Sequence, residues 1–149
     1  MIIKFSYYND KDFGLTVFSE IKFSEKEIVK NKKNNKLKNH NLEKKKNEYT
    51  KYLVTGIMED FPYEGITDDF LLKLKKIETG ELKEIIWDGQ AFQHKINKET
   101  VEFEHTIFGI CEEYPIWSCK FEEYKRVLEG WEHFLKMEYS LESEVKVEL

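Results

Sequence analysis

Ile85-Ile86-Trp87-Asp88-Gly89-Gln90-Ala91-Phe92-Gln93-His94-Lys95-Ile96-Asn97-Lys98-Glu99-Thr100-Val101-Glu102-Phe103-Glu104-His105-Thr106-Ile107-Phe108 sets two turn signals between runs of alternating character. Asp88-Gly89 suits a tight hairpin turn, and Asn97-Lys98-Glu99-Thr100 supplies a loop. The runs Leu82 to Trp87, Phe92 to Ile96 and Val101 to Ile107 therefore read as consecutive antiparallel strands. A four-residue loop pairs Ile96 with Val101, His94 with Phe103 and Phe92 with His105. That register puts both histidines on the face carrying Phe92, Ile96, Val101, Phe103 and Ile107, and sends Gln93, Lys95, Glu102 and Glu104 to the other. Trp87 and Gly89 are structural in this reading, one a platform side chain and the other a turn residue.

Upstream, Ile3, Phe5 and Tyr7 alternate with polar neighbours, and after Gly14 the alternation resumes through Leu15, Val17, Ser19, Ile21 and Phe23. A β-hairpin opens the chain. From Tyr49 to Met58 both alternating sets are bulky, which reads as a central strand covered on both sides. Thr67 or Asp68 is expected to cap a helix running to about Ile77, closed by Thr79-Gly80 with glycine in the left-handed position. Downstream, Phe108 to Ile110 extends the strand before Glu112-Glu113-Tyr114-Pro115 breaks it. Phe121, Tyr124, Val127, Leu128, Trp131, Phe134 and Leu135 fall on one helical stripe ending near Met137. Gly130 beside Trp131 signals close packing of that helix against the sheet, because glycine in a helix interior costs about 1 kcal/mol relative to alanine. The expected fold class is α+β: a mostly antiparallel sheet of about six strands with two helices packed on it, Trp131 resting on the Ile85–Phe108 hairpin. The 149 residues form a single domain, 1–149, with a Lys/Asn-rich flexible insertion at about 26–48.

Charge is distributed unevenly. Residues 26–51 hold ten lysines and three glutamates, whereas 99–149 hold thirteen glutamates against five basic residues. Fields of this kind steer association. The insertion has no aromatic residue between Glu25 and Glu48 to stack on bases, so direct nucleic-acid binding through it is the weakest of three functional readings. No run approaches the ~18 apolar residues of a membrane span, and the first residues lead into a strand pattern rather than a signal peptide. A cytoplasmic protein without membrane contact is expected.

No Gly-x-Gly-x-x-Gly, Walker loop or Gly-x-Ser-x-Gly occurs, and Cys111 and Cys119 are too few for a disulfide framework or a zinc site. Neither cofactor nor metal is called for. Glu104 and His105 point to opposite strand faces and cannot chelate together. Two imidazoles on one face, His94 and His105, supply the pattern of a general acid and base for RNA cleavage. Their aromatic surroundings point instead to packed side chains bonded to a backbone group or a carboxylate. The remaining feature is a glutamate-rich exterior: Glu102 and Glu104 on one strand face, Glu112 and Glu113 in a loop, and Glu122, Glu123, Glu129 and Glu132 on the last helix. Such a surface suits a partner with a basic face, its carboxylates standing where phosphates would bind.

Leu128-Glu129-Gly130-Trp131-Glu132-His133-Phe134-Leu135, preceded by Tyr114-Pro115-Ile116 and the Trp87-Asp88-Gly89 turn, resembles the C-terminal half of small bacterial immunity proteins that accompany polymorphic or contact-dependent toxins. The resemblance covers residues 66 to 137 and is structural rather than catalytic. It implies a non-enzymatic protein that binds a cognate toxin, often a nuclease, in the cytoplasm of the producing cell. It brings no catalytic residue.

Overall fold

The computed structural model describes residues 1–24, 27–28 and 37–149, residues 37–40 by their backbone alone. The fold is α+β with antiparallel pairing throughout, but the strands form two sheets instead of one. β1 (Ile2–Asp10) and β2 (Gly14–Lys22) form the opening hairpin, and β7 (Glu144–Glu148) adds to the free edge of β1, giving the order β2-β1-β7. β3 (Glu84–Asp88), β4 (Phe92–Asn97), β5 (Thr100–His105) and β6 (Trp117–Lys120) form the second sheet in sequence order.

The register expected from the two turns is present: Ile96 opposes Val101, His94 opposes Phe103 and Phe92 opposes His105. Asn97 Oδ1 fixes the loop by accepting the backbone N–H groups of Glu99 and Thr100 at 2.8 and 3.0 Å. Phe92, His94, Ile96, Val101 and Phe103 are buried, whereas Glu102 and Glu104 are exposed on the opposite face. β5 ends at His105, so the expected strand to Ile107 and on to Ile110 is instead a turn and loop. His105 stops it, because its Nδ1 accepts the N–H groups of Ile107 and Phe108, both at 3.2 Å, and curls the chain away.

Residues 49–58 are helical, not a strand. One continuous helix, α1, comprises Leu37–Glu48, a π-helical segment Tyr49–Val54 and Thr55–Asp60. Its buried positions Tyr49, Tyr52, Leu53, Gly56, Ile57 and Asp60 recur at three and four residues, and the wider π turn also lets Val54 face inward. The Thr55 N–H and hydroxyl both reach Thr50 O, which accommodates the extra residue. The expected flexible insertion is thus helical from Leu37 onward. The run Lys30 to Asn35 lies outside the described residues.

α2 (Glu64–Glu78) starts three residues ahead of the expected cap. Thr67 is buried inside it, its hydroxyl satisfied by Tyr63 O at 2.9 Å, while the extended Tyr63 sets the helix start. Gly80 adopts φ 77° and ends the helix as expected.

α3 (Phe121–Leu135) lies between the two sheets and buries Phe121, Tyr124, Val127, Leu128, Trp131 and Phe134. Each large apolar side chain buried this way contributes on the order of 2 kcal/mol. Tyr124 meets the second sheet at Phe103 and His94, whereas Trp131 packs on Phe5 of β1, ring centroids 5.2 Å apart. Trp131 therefore rests on the first sheet and not on the β3–β5 platform. Its indole N–H donates to Phe61 O at 2.8 Å, which ties the end of α1 to α3. A Cβ on Gly130 would stand 2.2 Å from Val147 Cγ2, so the close approach expected at Gly130 is made to β7.

Candidate functional site

His94 is fully buried, and neither ring nitrogen faces solvent. Nδ1 lies 2.8 Å from the Tyr124 hydroxyl and Nε2 lies 2.8 Å from Asp60 Oδ2. Burial holds the Tyr124 hydroxyl far above its ordinary pKa, so it keeps its proton and donates to Nδ1. Nε2 then carries the ring proton and donates to Asp60. Burial also lowers the His94 pKa against the opposing pull of Asp60, which favours the neutral ring. The Asp60 carboxylate further accepts the N–H groups of Ala91 and Phe92, at 2.7 and 3.2 Å. It occupies the hollow left by Gly89, where a Cβ would lie 2.2 Å from Asp60 Cγ.

This chain of hydrogen bonds resembles a catalytic relay only in its atoms. His105, the second candidate imidazole, packs between Tyr114 and Phe108 at 4.2 and 4.7 Å and spends Nδ1 on the backbone turn. With His94 sealed behind Phe92, Phe103 and Phe61, a substrate phosphate cannot reach both rings. The network joins α1, β4 and α3, with Gly89 as its necessary gap. Among the described residues, no group of His, Cys, Asp and Glu is arranged to hold a metal ion. No helix among them is long and apolar enough to cross a membrane.

The eight glutamates do not form one surface. Glu123 is turned inward: its Oε2 accepts the Tyr49 hydroxyl at 3.0 Å and the Lys120 N–H at 3.2 Å. Burial first, and then Glu123, pushes the Tyr49 pKa up, keeping that phenol a donor. Glu132 is largely covered and paired with Lys136, and Glu129 pairs with Lys125 at 3.6 Å. Glu122 alone of the helix set is exposed and without an ion pair among the described residues. Glu102 and Glu104 occupy the outer face of the second sheet, opposite the face that α3 covers.

Ile116 stands between those two strand glutamates and Glu112 and Glu113. It borders both the small depression lined by Gln93, Lys95, Glu102 and Glu104 and a larger, open cleft of about 450 Å3. The cleft opens between α1 and the loop 106–116, lined by Glu43, Glu48, Lys51, Tyr52, Glu112, Glu113, Pro115 and Trp117 among others. The loop itself presents Ile107, Phe108 and Ile110, which are 78, 61 and 63 % exposed. A cluster of exposed apolar side chains rimmed by polar residues is the pattern that marks an interaction site. The loop is held from beneath: Tyr114 contacts His105 and stacks on Phe108 at 5.7 Å, Lys51 Nζ lies 3.7 Å from the Tyr114 ring centre, and the Tyr52 hydroxyl donates to Pro115 O at 2.9 Å.

Glu43 and Glu48 were not apparent as site residues, since they sit in a stretch dominated by lysine. A helical reading of the stretch would have brought them nearer, because 43, 47 and 51 then line up along one face, with 48 at its edge. The chain matches no family model, no curated protein and no solved structure.

Proposed function

We propose that the protein is a non-enzymatic immunity or inhibitor protein, which binds a cognate bacterial toxin in the cytoplasm of the producing cell and so neutralises it. A nuclease toxin is the expected class, because its nucleic-acid site offers a basic face. The observation that carries this reading is the loop 106–116, whose bare Ile107, Phe108 and Ile110 are bordered by Glu104, Glu112 and Glu113. Apolar contact supplies affinity there, and the carboxylates supply orientation and a fast, salt-sensitive encounter.

The sealed His94 supports the same choice by removing the best acid–base pair. The resemblance of residues 66 to 137 to immunity proteins adds to it, and Gly130 and Trp131 are accounted for as packing residues without any chemistry.

The test begins with the adjacent upstream gene. If it encodes a secreted protein with a C-terminal toxin domain, that purified domain should bind the protein and lose activity, and joint charge reversal at Glu104, Glu112 and Glu113 to lysine should weaken binding by at least about 100-fold. A toxin domain that stays fully active in excess protein removes the reading. Turnover of RNA by the purified protein alone, abolished in both His94→Ala and His105→Ala, would replace it with the nuclease alternative.

A further inference from the structure

The cleft between α1 and the loop 106–116 differs from the rest of the acidic surface in having an aromatic floor. Trp117 is half-buried and lies parallel to Tyr52, ring centroids 5.4 Å apart and planes 10° apart. Tyr49 meets the same indole edge-on at 5.0 Å, so the floor is fixed from the inner side. Glu43 and Glu48 rise on the α1 wall, and Glu112 and Glu113 on the loop wall. The two cations of the lining are already engaged: Lys44 faces Glu48 at 3.7 Å, and Lys51 lies over Tyr114 and donates to Glu113 O. Glu43, Glu112 and Glu113 form no ion pair among the described residues. Carboxylates thus outnumber cations over a half-buried aromatic floor, inside a recess large enough for one long side chain.

We propose, resting on the binding-protein reading, that this cleft is the anchor site for an arginine side chain presented by a basic partner protein. The flat guanidinium stacks on the Trp117 indole, and its fork of N–H donors reaches the carboxylates of the facing walls. A lysine ammonium would satisfy the charge but not the stack, and an apolar anchor would strand the carboxylates. The π-helical segment of α1 contributes directly, since it delivers Tyr52 to the floor and Lys51 to the rim from adjacent positions. Arginine in a pocket of this kind is a common centre of binding energy in protein interfaces.

The probe is the peptide acetyl-Gly-Gly-Arg-Gly-Gly-amide, with citrulline replacing arginine as the uncharged control, titrated into the isotopically labelled full chain. The Trp117 indole N–H signal, assigned by its loss in Trp117→Phe, should move saturably with the arginine peptide and little with the control. Glu112→Gln with Glu113→Gln should weaken that response about tenfold, the loss of roughly one charge-assisted contact. Glu122→Gln with Glu129→Gln should leave it unchanged. Equal response to citrulline, equal loss in the Glu122 and Glu129 variant, or a silent Trp117 overturns the anchor. With the toxin domain as ligand, tight binding that ignores the Glu112 and Glu113 variant also overturns the anchor while the binding-protein reading stands. A cleft that takes the peptide in a protein that ignores the toxin domain upholds the anchor chemistry and overturns that reading.

Discussion

At the scale of single residues, His94 is a structural histidine that donates from one nitrogen and accepts at the other. Replacing it with alanine leaves Asp60 short of a donor and Tyr124 short of an acceptor, and should cost about 3 kcal/mol in a urea melt. The pH dependence has a definite sign. The folded His94 pKa is lowered by burial, so below the ordinary histidine value the unfolded chain takes up a proton that the folded chain refuses. The His94 contribution is full above pH ~6.5 and is lost progressively as pH falls below it. Comparing urea midpoints at neutral and mildly acid pH should show a loss that His94→Gln abolishes; an equal loss in the variant would place the effect elsewhere. Gly130 gives a second test. Gly130→Ala gains helix propensity, yet its Cβ meets the stiff, branched Val147 at 2.2 Å, so a net loss of about 1–3 kcal/mol is expected. Val147→Ala in the same chain should recover part of that loss, and simple additivity of the two would refute the contact.

At the scale of elements, the loop 106–116 hangs on His105. His105→Ala removes the acceptor for two backbone N–H groups, and amide exchange should accelerate at Ile107 and Phe108 while β4 stays protected. Uniform acceleration through β4 would mean that His105 supports the sheet instead. The elements also differ in how far they could be read from the chain. The β3–β5 meander was legible in register because two turn signals pinned it, and α3 because seven apolar residues kept a 3.6 period. α1 was not, for a physical reason. Tyr49, Thr50, Tyr52, Val54, Thr55 and Ile57 are aromatic or β-branched and favour strands locally, while the buried face of the helix decides the outcome. The bulk on both alternating faces was the overlap of a helical stripe with a π turn. The candidate surface suffered the same fate: Glu102 and Glu104 followed from strand alternation, but Glu43 and Glu48 become neighbours of Glu112 only when α1 is a helix. Spacing could not remove Glu123, whose partner Tyr49 comes from tertiary contact, whereas the pairing of Glu132 with Lys136 four residues on was legible within the expected helix.

At the scale of the whole molecule, α3 is the shared layer between two sheets. Its Phe121 and Tyr124 end serves the second sheet, and its Trp131 and Phe134 end serves the first. Removing residues 144–149 would uncover Gly130 and take from β1 the strand opposite Ile2 to Ser6. Such a chain should lose near-ultraviolet aromatic dichroism and bind a hydrophobic dye; native-like dichroism would show that β7 is dispensable. The pairing of β1 with β7 also imposes an order in time. β3, β4, β5 and β6 are joined through neighbouring stretches and can assemble while synthesis continues, whereas β1 must wait until residues 144–148 are made before its second neighbour arrives. Until then the Trp131 side of α3 has only half its cover, a partly built state in which apolar surface is open to chaperones and to self-association. By sequence separation, the slowest pairing to form is therefore expected in the β2-β1-β7 sheet and not in the sheet that carries the candidate binding loop.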